Sequence, residues 1–195
     1  MTKMKKQRDN YTFLTHAPVH RVIVSMAIPT IISMLVTSIY GMVDTYYVGQ
    51  INTQSTAAVG ISFSIMTIIQ AIGFFFGHGS GNYISRMLGA KRTDEAKYMA
   101  ATGLVGSVAF GLAVAVVGLA FLSDICIFLG STETILPYTE RYLGIILVGA
   151  PFMTGAFTLN NQMRFQGNAK YAMYGILSGV VLNVVLAPIL IFYFC

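Results

Sequence analysis

RVIVSMAIPTIISMLVTSIYGMVDTYYVG, residues 21–49, is the stretch that decides the fold. It is apolar for long enough to cross a bilayer, since about 20 such residues suffice. Near its far end it nevertheless carries a carboxylate, Asp44. An Asp at the centre of a membrane helix costs roughly 2.5–3.5 kcal/mol on insertion scales, so an acid inside a span points first to function. Ser33, Thr37, Tyr40 and Asp44 fall at i, i+4, i+7 and i+11, one polar stripe on an otherwise apolar helix. About four turns before Asp44 stands Pro29, which removes a backbone hydrogen bond and permits a bend. An acid, a polar stripe and a hinge on one span predict a helix whose shape responds to its charge.

The rest of the composition agrees with a membrane-embedded chain. Of 195 residues, 55% are hydrophobic and 10% charged, with a mean hydropathy of +0.70, whereas ordinary globular domains are about 25% charged. The fold class expected is an all-α integral membrane protein. A net charge of +5 could suit nucleic acid, but the Lys and Arg residues flank the apolar spans and report topology instead. Lys3, Lys5, Lys6 and Arg8 precede the first span like the n-region of a signal peptide. The apolar run that follows is too long for an h-region and lacks a small-residue cleavage site, so it is expected to stay in the membrane. Cys126 and Cys195 make no metal or redox spacing, and no GxxxxGK phosphate loop is present. No cofactor is expected.

A basic, non-spanning segment, 1–21, comes first, and five spans are expected at about 22–47, 57–85, 98–122, 139–163 and 171–194. The connection after the first, QINTQST, is uncharged. The next, RMLGAKRTDEAK, is strongly basic, with Thr93 a candidate N-cap and Asp94–Glu95 in the first helical turn. The third, about 123–137, has Asp124 and Glu133 without Lys or Arg. The fourth carries Arg164 and Lys170. Basic and non-basic connections alternate, so the positive-inside rule places the N-terminus in the cytoplasm and Cys195 outside. Arg141 is the exception.

Span two carries a glycine ridge, Gly73, Gly77 and Gly81, with Gln70 just above it and His78 among it. Small residues four apart let helices approach closely in lipid. A membrane His can relay protons, but no acid is near it in sequence, and packing or hydrogen bonding is the reading preferred. Span three has no ionisable residue and reads as scaffold. Span four has Pro151 as a hinge, with Thr154, Thr158 and Asn161 on one face below it. Such groups must find partners in lipid, so this face meets another helix or a water-filled cavity. In span five, Gly175, Gly179, Asn183 and Ala187 repeat the four-residue ridge, and Pro188 follows. The Asn183 amide, at roughly the depth expected for Asp44, can bond a neutral or an ionised carboxyl on another helix.

In order and spacing, several pieces of the chain resemble the multidrug and toxic compound extrusion (MATE) family, in its DinF-like bacterial branch. They are Ala27-Ile28-Pro29, Met42-Val43-Asp44-Thr45 with Val48-Gly49, Ala57-Ala58-Val59-Gly60, Ser85-Arg86-Met87-Leu88-Gly89-Ala90, NNQMRFQGN at 160–168, and Asn183-Val184-Val185-Leu186. The resemblance implies twelve spans in two six-helix lobes and export of amphipathic, often cationic compounds in exchange for protons or sodium ions. It further implies that Asp44 couples the exchange, with Asn183 beside it, and that span one bends at its proline on protonation. Two departures matter. The chain holds five spans, most of one N-terminal lobe, which reads as a fragment, a truncated product or one piece of a split transporter. Relatives in the branch also commonly carry an acid at the position of Ala187, and its loss weakens any sodium site built on Asp44 and Asn183, because hard cations take several oxygen ligands.

The function expected is therefore the N-terminal part of a secondary exporter in the bacterial cytoplasmic membrane, with H+ or Na+ as coupling ion and no enzymatic chemistry. Proton or cation coupling falls to Asp44 and Asn183, bending to Pro29 and Pro151, and the substrate cavity to Thr37, Tyr40, Gln70, Thr154 and Asn161. Partners expected are membrane lipid, small amphipathic or cationic drugs, and a second lobe or another copy of the short chain; nucleic acid is not among them. A lipid-linked saccharide flippase would need cations deep in its spans to hold phosphate, and none is there. An inactive fragment or a membrane scaffold remains the alternative for five spans alone. An enzyme would need a nucleophile–base pair or metal cluster at membrane depth.

Overall fold

The computed structural model describes residues 13, 16–50 and 52–194, with the side chains of 44 and 185–194 outside the described residues. From residue 19 onward, the described residues form six helices in order: α1 Val19–Gly49, α2 Thr53–Gly89, α3 Thr93–Ala120, α4 Leu122–Phe128, α5 Leu136–Phe165 and α6 Ala169–Phe194. No strand occurs among the described residues. Backbone polar groups in lipid must be satisfied within the segment, which is why long apolar runs become uninterrupted helices. Four of these, α1, α2, α3 and α5, are long and apolar enough to cross a membrane among the described residues. At 1.5 Å per residue even the 28-residue α3 reaches about 42 Å, past the roughly 30 Å of hydrocarbon. Burial follows the logic of a lipid solvent. Phe152 is 80% exposed while Thr154, Thr158 and Gln162 of the same helix are buried.

Helix ends are set by local chemistry. Asn52 caps α2, its Oδ1 accepting from the Ser55 N–H at 2.6 Å. Three helices close with a left-handed residue and the paired bonds of a Schellman turn. At the end of α5, Gly167 has φ +78°, and Asn168 N–H reaches Met163 O at 3.0 Å. At the end of α4, Gly130 has φ +100°, and Ser131 N–H reaches Cys126 O at 3.0 Å. At the end of α2 the left-handed residue is Lys91, φ +61°, with Arg92 N–H on Met87 O at 2.9 Å. This turn starts α3 at Thr93, making Arg92 the N-cap, without a side-chain cap bond, in place of the expected Thr93. Arg92 pairs instead with Glu95. A non-glycine residue in the left-handed region costs about 1–2 kcal/mol, part of which glycine gives back in entropy. Lys91→Gly is thus expected to stabilise the protein by about 0.5–1 kcal/mol, read as a higher midpoint of thermal unfolding by circular dichroism.

Helices α2, α3 and α5 form one tight bundle, α1 pairs with α6, and α4 caps the N-terminal end of α5. The bundle is built on small residues. A Cβ on Gly73 would stand 2.6 Å from Phe157 Cβ, and one on Gly77 2.8 Å from Asn161 Cβ; Gly81 meets the Phe165 ring. The span-two ridge therefore faces α5. Span three, which looks featureless in sequence, has its own buried stripe of Ala96, Gly103, Ser107, Gly111, Ala115 and Gly118. Gly103 faces Ser80 and Gln162, Gly111 faces Pro151, and Gly118 faces Leu147. By contrast Gly175 and Gly179 of α6 have nothing within 4 Å of a built Cβ, so these two positions of the second ridge lie open. Beside α4, Ser123 Oγ donates to Glu140 Oε1 at 2.5 Å, and burial, then the Glu140 charge, pushes the Cys126 thiol up.

Candidate functional site at the α1–α6 contact

Two members of the α1 polar stripe, Ser33 and Thr37, bond within their own helix. Ser33 Oγ, buried, donates to Pro29 O at 2.8 Å, and Thr37 Oγ1 donates to Ser33 O at 2.8 Å. Thr30, Ser38 and Thr45 bond in the same way to Met26, Met34 and Gly41 carbonyls. Hydroxyl back-bonding to the carbonyl four residues earlier loosens and bends a helix. Here it clusters around Pro29, which has no N–H to offer Ser25 O. The helix is nonetheless continuous through that proline. Asp44 lies in the last turns of α1, with its side chain outside the described residues. Tyr40, one turn earlier, is half-buried.

Facing this helix is α6, which carries Asn183. The Asn183 amide oxygen is buried and, among the described residues, has no hydrogen-bond partner. In lipid such an orphan acceptor is expensive unless a donor reaches it. Ser62 Oγ on α2 is the other orphan among the described residues. The Ala187 side chain lies outside the described residues.

Residues proposed from sequence for a substrate cavity divide into two groups. Thr37 is exposed, and Tyr40 and Gln70 are half-buried. Thr154 and Asn161 are instead buried within the bundle, where each has a hydrogen-bond partner. Thr154 Oγ1 shares its proton between Ser107 O of α3 at 2.9 Å and Pro151 O at 3.0 Å. Asn161 Nδ2 donates to Phe157 O of its own helix at 2.8 Å. One turn below Thr154, Thr158 Oγ1 donates to Gly73 O of α2 at 3.1 Å. One turn further, Gln162 Nε2 donates to Ser80 Oγ of α2 at 2.9 Å and to Ala100 O of α3 at 3.1 Å. The face below Pro151 is thus a stitched seam, with the hinge proline packed against Gly111 at its head. Gln162 was legible as the next step of four after Thr154 and Thr158. Asn160, on the adjoining face, sends Nδ2 to Ala172 O of α6 at 3.0 Å.

A separate open cavity of about 310 Å³ lies between α2, α3, α4 and α5, lined by residues including Ile65, Phe110, Val114, Leu143 and Leu147. Its lining side chains are all apolar, so it has nothing with which to orient a charged group.

Comparison with known proteins finds relatives over most of the chain. The "Multidrug export protein MepA" of Staphylococcus aureus (strain MRSA252) is 37% identical over 138 residues, 71% of this chain and 31% of the relative. The chain thus spans about a third of the length of the curated relatives it matches. Among solved structures, a MATE protein in the bent conformation superposes with a TM-score of 0.83 at 28% identity, over 90% of this chain and 39% of that one. A MATE protein in the straight conformation gives 0.81 at 28% identity, over 86% and 37%. The sequence profile of the MatE family matches residues 29–189, the span that holds Pro29, Asp44, Pro151 and Asn183 alike; the chain belongs to the MatE family.

Proposed function

We propose that this chain is the N-terminal part of a secondary multidrug exporter that exchanges amphipathic or cationic compounds for protons, with Asp44 as the proton carrier. The setting proposed is the bacterial cytoplasmic membrane, with the N-terminus inside, on the alternation of basic and non-basic connections. The substrate class is proposed on the likeness to multidrug export proteins. The observation that carries the choice of ion is the orphan Asn183 oxygen on the helix that packs against α1. A neutral carboxyl has an O–H to give an amide oxygen, and an ionised one has none. Asn183 therefore favours the protonated form of a carboxyl that reaches it. A sodium ion would ask for further oxygen ligands, and at position 187 the chain has Ala.

In this mechanism protonated Asp44 donates to Asn183 and ties α1 to α6. Loss of the proton leaves a charge that a cationic compound can balance, and α1 changes shape at Pro29, where its backbone is already short of a bond. Proton re-entry resets the helix. A potential of 100 mV supplies about 2.3 kcal/mol per charge moved, enough to bias such an exchange.

The test is ethidium efflux and the accompanying proton uptake in a pump-deficient bacterium. This chain is expressed alone and alongside the second half of a family member, each with and without Asp44→Asn. Efflux that Asp44→Asn abolishes, and that sodium does not stimulate, is the expected result. Unchanged coupling in Asp44→Asn removes Asp44 from the mechanism. Efflux that requires sodium overturns the choice of ion.

A further inference from the structure

We propose that the apolar cavity between α2, α3, α4 and α5 is a seat for one acyl chain of a zwitterionic phospholipid, held as a fixed ligand of the lobe. The cavity measures about 310 Å³, with Leu143 and Leu147 of α5 among its lining. Along the bundle it runs from Phe110 of α3 to Ile125 of α4. Ile68 of α2 and Val117 of α3 also line it, and both are exposed. Ala113 leaves room on the α3 wall, and below it the Phe110 ring packs on Phe76 of α2, centroids 5.2 Å apart.

Three features name the occupant, and the first is depth. The charges of α3 stop at Lys97 and the helix ends at Ala120, so Phe110 stands near the middle of its apolar stretch. From Phe110 to Gly118 the cavity follows α3 for about 12 Å at 1.5 Å per residue. That is close to the hydrocarbon depth of one leaflet, roughly 15 Å. The second feature is access. Helices α2, α3 and α5 each qualify as membrane spans, and the exposure of Ile68, Phe110 and Val117 opens the cavity between α2 and α3 toward lipid. Helices α1 and α6 pack on each other and on α2 and α5. The third is polarity. Every lining side chain is apolar, and water, which needs two to four polar partners, does not fill such a space. What a bilayer supplies at that depth is hydrocarbon chain.

The headgroup follows from charge. Residues 121–140, at the α4 end, include Asp124, Glu133 and Glu140 and no Lys or Arg. Asp124 precedes Ile125 on α4. Glu140, which accepts from Ser123 Oγ, lies three residues before Leu143 and so on the same face of α5. Arg141, the one basic residue between 121 and 163, stands on the adjoining face. A net negative headgroup is repelled at this end, whereas the ammonium of phosphatidylethanolamine is attracted to the carboxylates. Neither Asp44 nor Asn183 takes part, so the seat stands or falls separately from the exporter reading.

The experiment is native mass spectrometry of the full chain, delipidated in detergent and titrated with dioleoyl phosphatidylethanolamine. Dioleoyl phosphatidylglycerol, with the same chains and a net negative head, is the comparison. One phosphatidylethanolamine is expected to bind the native chain ahead of all others, and phosphatidylglycerol several fold more weakly. Ala113→Phe fills the cavity from α3 and should weaken that first lipid about tenfold. Ile68→Trp fills it from α2 and should do the same, so a folding fault in one variant does not decide the result. Val116→Phe adds bulk at an exposed position of α3 outside the cavity and should leave binding unchanged. Equal affinity of the native chain, Ala113→Phe and Ile68→Trp for phosphatidylethanolamine overturns the seat, as does the absence of a distinct first lipid. Equal affinity of the native chain for both lipids overturns the headgroup assignment. A lipid-free dimer that Ala113→Phe returns to monomer overturns the lipid and gives the cavity to a second copy of the chain.

Discussion

Gly111→Ala is expected to lower stability by about 3 kcal/mol, the upper end of what a single added methyl costs in a packed interior. A Cβ at position 111 would stand 2.8 Å from Pro151 Cα and 3.1 Å from Ala150 O. Both are backbone atoms and neither can rotate away, so α3 and α5 must separate. Separation also pulls Thr154 Oγ1 off Ser107 O, which it bonds at 2.9 Å. The proline aggravates the effect, since a helix with a missing bond bends at that point in preference to any other. The measurement is thermal unfolding by circular dichroism in detergent, with Gly175→Ala as the comparison. Position 175 has nothing within 4 Å, so there the helix propensity of Ala wins and the midpoint should rise, by about 0.5–1 kcal/mol in stability. Two identical substitutions of opposite sign test the assignment of ridges. A drop at 175 as deep as that at 111 would mean that the α6 ridge is packed.

Gln162→Ala should be nearly as costly, again about 3 kcal/mol, combining a cavity in the seam with two lost interhelical bonds. Gln162 is 2% exposed and its amide joins α2 and α3 to α5 at one point. The isosteric Gln162→Met separates the two contributions. It fills the volume and loses only the bonds, which in membranes average about 0.6 kcal/mol and reach about 1.7. Ser80 is not left stranded in either variant, since its hydroxyl still donates to Phe76 O at 2.6 Å. Gln162→Met is therefore expected to retain more than half of what Gln162→Ala loses. If both variants melt together, the bonds dominate and the packing of the seam is looser than its glycines imply.

The class of the protein was legible from residues 21–49 alone, because twenty or more apolar residues around one acid have few uses outside a bilayer. Faces were legible too. Thr154 and Thr158 at a step of four do share one side of α5, and Gly73, Gly77 and Gly81 do share one side of α2. What periodicity does not give is the neighbour. Gly77 and Gly175 read alike, yet one is pressed against Asn161 and the other is open, since helical spacing fixes a direction and only the tertiary arrangement fills it. For the same reason Thr154 and Asn161 read as readily for a cavity as for a seam. His78 and Phe74, four apart, were a visible pair, but Phe165, whose ring also meets His78, lies 87 positions further along the chain, and nothing local announces that contact. Gln162, the strongest stitch, was overshadowed because a polar residue near a basic connection reads as the start of a loop.

The self-satisfied hydroxyls of α1 bear on how such a lobe can move. Five of them, on Thr30, Ser33, Thr37, Ser38 and Thr45, bond within their own helix, while Thr154 and Thr158 of α5 reach across to other helices. Shifting α5 means rupturing cross-links. Shifting α1 carries its hydroxyl bonds along intact, so at those positions the helix slides against its neighbours on dispersion contacts alone. At those positions the same residue types, Ser and Thr, serve as lubricant on α1, whereas Thr154 and Thr158 serve as rivets on α5.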